Sequence, residues 1–138
     1  MSLRPMGVSI VALLTLLGSF GLGYLLLLWI GLGGVASLWS VWFVLVTLLL
    51  GLCAFFLSIV MFIGVRSRLV WYASVLFWIV TAVFFILLES RLNLFGAAHY
   101  WGIRGWFLLA SPYICCIGCL AYFQTLTVKE YFHILKVR

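Results

Sequence analysis

Between Arg4 and Arg66 the chain carries no charged residue, and further uncharged runs extend from Leu69 to Leu88 and from Gly105 to Val128. A helix needs about 20 apolar residues to cross a bilayer, so the first run is long enough for two helices and a turn, and each later run for one. The turn falls on Gly31-Leu32-Gly33-Gly34-Val35-Ala36-Ser37, where glycines cluster and helix propensity collapses. The pattern predicts helices at about residues 7–30, 38–64, 69–89 and 106–128. Residues 1–138 then form a single transmembrane domain: an all-α, polytopic, antiparallel four-helix bundle with short connections.

Composition narrows the class. Of 138 residues, 68% are apolar and 7% are charged, against roughly 45–50% and about 25% in a soluble domain. A sphere of this size cannot hide that much apolar surface from water. Soluble enzymes, disordered tails and nucleic-acid-binding domains are thereby excluded. The first apolar run is longer than the roughly 7–15 residues of a leader's hydrophobic region, so it reads as a retained anchor.

Charge placement predicts orientation. With the N-terminus inside, the cytoplasmic face carries Arg4, Arg66, Arg68, Lys129, Lys136 and Arg138, and the outer face only Arg91 and Arg104. That asymmetry follows the positive-inside bias and gives N-in, C-in. Trp29, Trp39, Trp42, Trp101 and Trp106 fall at the outer boundary and Trp71 with Tyr72 at the inner one, as an aromatic belt requires. Trp78 alone falls mid-span.

Burying apolar side chains gives little drive for association in lipid, so helices meet through small residues that allow close approach. Helix 2 offers Thr47, Gly51, Ala54 and Ser58, and helix 4 offers Ser111, Cys115, Gly118, Tyr122 and Thr125. Helix 1 adds Ala12, Thr15 and Ser19, and helix 3 adds Ser74 and Thr81. Pro112, early in helix 4, is expected to kink it or to sit near its first turn. The 12 phenylalanines suit lipid contact, partner subunits or a flat apolar ligand such as a quinone or carotenoid.

Cysteines are the first candidate chemistry. Cys53 lies in helix 2, and Cys115, Cys116 and Cys119 lie in helix 4. Cys116-Ile117-Gly118-Cys119 is a C-x-x-C, which on a helix puts two thiols on one face; the same small residues also serve simple packing. The run from Tyr113 to Cys119 resembles the redox helix of the vitamin K epoxide reductases, four-helix membrane proteins in which such a pair reduces a quinone. The resemblance implies Cys116 and Cys119 as the redox pair and a quinone as the oxidant. It is confined to that helix, since the loop between helices 1 and 2 holds no cysteine. No histidine falls within a span to complete a metal site, and no metal is expected.

The segment from Glu89 to Arg104 reads as an outer loop, gathering Glu89, Arg91, Asn93, His99 and Arg104 among Leu92, Leu94, Phe95, Tyr100 and Trp101. Glu89, at the membrane boundary, wants a cationic partner, for which Arg91 and Arg104 are available. The loop either lies on the headgroups, pinned by one ion pair, or forms an outer site for an anionic or quinone-like head group with Arg104 or His99 as donor. On the inner side Arg66, Arg68 and Lys129 suit anionic lipid headgroups.

The predicted spans contain no Lys, Arg, His or Asp, and no Walker, Rossmann or H-E-x-x-H pattern occurs. The opening Arg4-Pro5-Met6-Gly7-Val8-Ser9-Ile10 resembles the R-P-x-G-V-[ST]-I start of small prokaryotic, especially archaeal, membrane proteins; the resemblance implies no activity. Three functions remain: a non-catalytic accessory or scaffold subunit packing against other membrane subunits or its own copies, a small oligomeric channel or transporter, and a membrane thiol–quinone oxidoreductase. The first is the leading expectation, with no resident cofactor.

Overall fold

The structure is a computed structural model that describes residues 5–31, 38–92 and 99–134. Four helices are long and apolar enough to cross a membrane: α1 (Met6–Gly31), α2 (Leu38–Ile63), α3 (Arg68–Leu92) and α4 (Gly102–Phe123). A fifth, α5 (Leu126–Tyr131), is one and a half turns long, and no strand occurs among the described residues. The first two predicted spans match α1 and α2 within a residue. The fourth does not. It starts four residues earlier than expected and stops at Phe123, because Thr125 is extended (φ −65°, ψ 147°) and separates α4 from α5. The predicted turn residues 32–37 lie outside the described residues, as do the side chains of Trp29 and Trp39.

The pair α1–α2 is the most closely packed. Ala12, Ala54 and Ser58 are fully buried, and Thr15 and Thr47 nearly so. A Cβ on Gly51 would meet Leu22 at 3.8 Å and the Ser19 carbonyl at 3.9 Å, so the seam read from helices 1 and 2 is the one these helices use. The start of α2 meets the end of α3, where the Phe43 and Phe84 rings stack at 5.7 Å.

Seam hydroxyls do not cross between helices. Those of Thr15, Thr47, Ser74 and Thr81 donate to the carbonyls of Val11, Phe43, Val70 and Phe77, four residues earlier in their own helices, at 2.7–2.8 Å. Each is satisfied locally, so these contacts rest on shape rather than on interhelical hydrogen bonds.

Pro112 lies well inside α4 rather than in its first turn. Its ring nitrogen has no proton for the carbonyl of Leu108, four residues earlier. Ser111 supplies one: its hydroxyl donates to Leu108 O at 2.9 Å. Ser111→Ala is therefore expected to lower stability by about 1–3 kcal/mol, the cost of an unmet polar group, while Ser111→Thr retains it. Unfolding titrations in mixed micelles measure the difference.

At the opposite end from the α3–α4 connection, two chain reversals lock together. Gly64 (φ 84°) ends α2, with the Val65 N–H bonded to Val60 O at 3.3 Å and the Gly64 N–H to Met61 O at 3.2 Å, the pairing that terminates a helix through a left-handed residue. His133 (φ 58°) repeats it after α5, with the Ile134 N–H on Lys129 O at 2.8 Å. Arg68 Nε donates to His133 O at 2.8 Å, the Arg66 guanidinium lies 5.0 Å from the Tyr131 ring centre, and Ser67 Oγ accepts from the Leu69 N–H at the start of α3. Val128 and Phe132 are fully buried there, against Met61, Trp71 and Phe123 in the apolar core.

Trp71 was expected in the interfacial belt. It is instead buried, and its indole Nε1 donates to Phe123 O at 2.9 Å, satisfying a last-turn carbonyl of α4 that has no helical donor. Tyr72, Trp42, Trp101 and Trp106 are exposed.

Candidate functional site

Glu89 is not in a loop. It lies on the last full turn of α3, 7% exposed, facing α4. Tyr113 Oη donates to its Oε2 at 2.5 Å, whereas Oε1 is buried and has no hydrogen-bond partner. The expected ion pair with Arg91 or Arg104 is thus replaced by a phenol bond from the neighbouring helix. The sequence could have suggested this, since Glu89 falls within helical reach of the α3 pattern and Tyr113 is the polar aromatic at matching depth in α4.

Beside this pair, α3 and α4 leave an open cavity of about 570 Å³ walled by Ile86, Glu89, Trp106, Leu109, Ala110 and Tyr113. Its wall is apolar apart from the carboxyl, the phenol and Ser90, and includes no basic side chain among the described residues. Ile86 and Trp106 are both exposed, so the opening lies on the outside of the bundle.

The other candidates of the predicted outer loop do not line this cavity. Arg91 is exposed at the end of α3, His99 is exposed in a helical segment before Trp101, and Arg104 is exposed in the first turn of α4. Asn93, Leu94 and Phe95 lie outside the described residues, as does the side chain of Leu92.

The cysteines lie deeper. Cys116 and Cys119 are buried, Cys115 is partly buried and Cys53 is exposed; all four are free thiols. Cys116 borders a cavity of about 260 Å³ between α1, α3 and α4, together with Thr15, Thr81 and Trp78. Trp78, singled out as the mid-span indole, is 5% exposed and its Nε1 has no acceptor. Cys119 instead faces the start of α1, where the Tyr122 ring covers Gly7 so closely that any Cβ there would overlap the phenol. Among the described residues no three His, Cys, Asp or Glu side chains are grouped to hold a metal ion.

Of the basic residues expected inside, Arg66 is engaged with Tyr131 at the end of α5 and Arg68 with His133 just after it, as described above. Lys129 is partly buried on α5. Of the predicted helix 4 seam, Ser111 and Thr125 are exposed, whereas Cys115, Gly118 and Tyr122 line an open groove against the start of α1 together with Cys119, Gly118 itself remaining exposed.

These features define a class: a helical, multi-pass integral membrane protein with a carboxyl group buried between two of its membrane-length helices. Comparison of the chain with protein-family models, curated proteins and solved structures gave no significant match.

Proposed function

We propose that the chain is a non-catalytic accessory subunit that acts by lateral association with other membrane subunits or with copies of itself. The observation that carries this reading is the exposure of α4. It carries Ser111, Tyr113 and three cysteines, yet only 17% of its membrane-length stretch is buried, against 28% in α1 and α2 and 39% in α3. In a bilayer a helix with such groups belongs in the interior, where they find partners. Here Ser111, Ile114, Ile117 and Gly118 are exposed, and a Cβ on Gly118 would meet nothing within 4 Å. A small residue with open space beside it admits a second helix at close range.

The proposed setting is a prokaryotic cytoplasmic membrane, with antiparallel helices and both termini inside. The basic asymmetry and the Arg4–Ile10 resemblance support it. In that orientation Arg66, Arg68 and Lys129 lie at the inner surface, where anionic headgroups attract such side chains by about 1 kcal/mol each.

Photo-cross-linking in native membranes tests the association. A benzoylphenylalanine at Ile114 or Ile117 is expected to give a discrete protein adduct, and one at Leu49, exposed on α2, is not. Gly118→Leu is expected to abolish the adduct while leaving the stability of the isolated chain within about 0.5 kcal/mol, as for an exposed substitution. Lipid adducts alone, with a lone monomer in mild detergent, would overturn the reading.

A further inference from the structure

We propose that Glu89, Tyr113 and Trp106 form a lipid-facing site for an organic cation, an ammonium or phosphonium centre carried on an apolar body. The inference goes beyond lateral association and needs only the single chain.

Four observations converge on it. The first is the carboxyl itself: Glu89 is the acidic residue of the membrane-length helices, and burial of its charged form in so apolar a place demands a counter-charge. The second is the unequal state of its oxygens. Oε2 is held by the Tyr113 phenol, which fixes the carboxyl's direction, while Oε1 is buried without a partner. The third is the wall of the adjoining cavity, which is hydrocarbon and indole and supplies no basic side chain among the described residues, so a cation would come from outside the protein. The fourth is Trp106, an exposed indole on that wall whose ring face attracts cations.

Together these select against other ligands. An anion would meet the carboxylate, and a small hydrated metal ion would find one carboxyl and one phenol where hard cations want several oxygens. An organic cation keeps its apolar body in the hydrocarbon wall and its charge beside the Glu89–Tyr113 pair, with Oε1 just beneath the surface as the unmatched acceptor. A volume of about 570 Å³ holds a body of several rings or a branched alkyl group. The cavity opens outward between α3 and α4 near the end of the span, so such a ligand reaches it from the bilayer. Two sources share this chemistry: a lipid-soluble cation, or the ammonium of a zwitterionic headgroup.

The test uses the full chain in detergent micelles and radiolabelled tetraphenylphosphonium in equilibrium dialysis. Saturable binding is expected, competed by unlabelled tetraphenylphosphonium but not by tetraphenylborate, an anion of the same shape. Glu89→Gln keeps a partner for the Tyr113 hydroxyl but removes the charge, and should weaken binding at least tenfold. Trp106→Ala should weaken it three- to tenfold. Tyr113→Phe leaves the charge in place but removes the bond that fixes the carboxyl, and should weaken binding three- to tenfold, less than Glu89→Gln.

If Glu89→Gln changes the circular dichroism of the chain, the tetraphenylborate competition and Trp106→Ala decide the matter. Glu89-dependent binding that is tenfold weaker in phosphatidylethanolamine nanodiscs than in phosphatidylglycerol ones assigns the site to a lipid ammonium. Equal binding in the two assigns it to a free lipophilic cation. Binding by folded Glu89→Gln within twofold of the unaltered chain, or equal competition by the borate, would overturn the proposal. Neither result bears on cross-linking through α4.

Discussion

Replacing Phe132 by alanine is expected to lower the stability of the bundle by about 3–5 kcal/mol, the range for deleting a fully buried aromatic ring. Phe132 is completely buried, its ring centre 5.0 Å from that of Tyr131 and 6.3 Å from that of Phe123. It lies beyond the membrane-length helices, on the turn that follows α5. The surroundings cannot collapse easily into the space left, because α5 is tied on both sides. Tyr131 reaches the Gly64 carbonyl at 3.5 Å, and Arg68 holds the His133 carbonyl. Phe132→Leu, which refills most of the volume, should recover more than half of the loss. Denaturant titration in micelles, followed by tryptophan fluorescence, measures both. A loss below 1 kcal/mol for the alanine variant would mean that α5 does not dock where the structure places it.

Trp71 is the second position of large effect, and two substitutions separate its contributions. Trp71→Ala removes the ring and the N–H together and is expected to cost about 3–5 kcal/mol. Trp71→Phe keeps most of the apolar contact and removes only the donor to Phe123 O, at a cost of about 1–3 kcal/mol for an unmet buried carbonyl. Because Trp71 and Phe132 both pack against Phe123, the double variant should fall short of the sum of the singles by about 0.5 kcal/mol or more. An interfacial Trp71 lying among headgroups would show neither the large alanine effect nor this coupling.

These two residues also mark how far the sequence could be read. The membrane-length helices were legible because ten charged residues punctuate an otherwise apolar chain, and a helix that must satisfy its backbone in lipid runs between such points. The helix α5 was not. After Gly118 the uncharged run continues to Val128 without a glycine or proline, so nothing in charge or breaker pattern marks the extended Thr125. A subtler signal was present: Val128, Tyr131 and Phe132 recur at helical spacing, with Lys129 and Glu130 between them, and the first three are buried.

The candidate site was legible in its residue and not in its partner. Glu89 stood out as an acid at a boundary, but charge pairing pointed along the chain to Arg91 and Arg104. What decides its partner is the lateral neighbour, α4, and the register that brings together residues 24 positions apart is not written in either helix alone. The aromatic belt failed at Trp71 for a related reason. An indole suits the interface because one edge is polar, and the same edge suits a free carbonyl at a helix end. Pro112 and Ser111 follow that logic too, since adjacency of proline and serine says nothing of which carbonyl needs a donor until the helix start is known.

The lock between the two reversals bears on how the protein is made. The turn after α2 leaves the ribosome well before the segment that grips it, since Tyr131 and His133 follow Arg66 and Arg68 by more than sixty residues. At about 5–20 residues per second, several seconds separate the two. During that interval α1 and α2 can already close on their own seam, while the Arg68 guanidinium and the bottom of the core around Met61 wait for their cover. Assembly of this bundle is then staged, an early hairpin followed by a late clasp. A nascent chain halted after α4 should hold its first two helices together while the end at Gly64 and Arg68 stays open to a water-soluble protease probe.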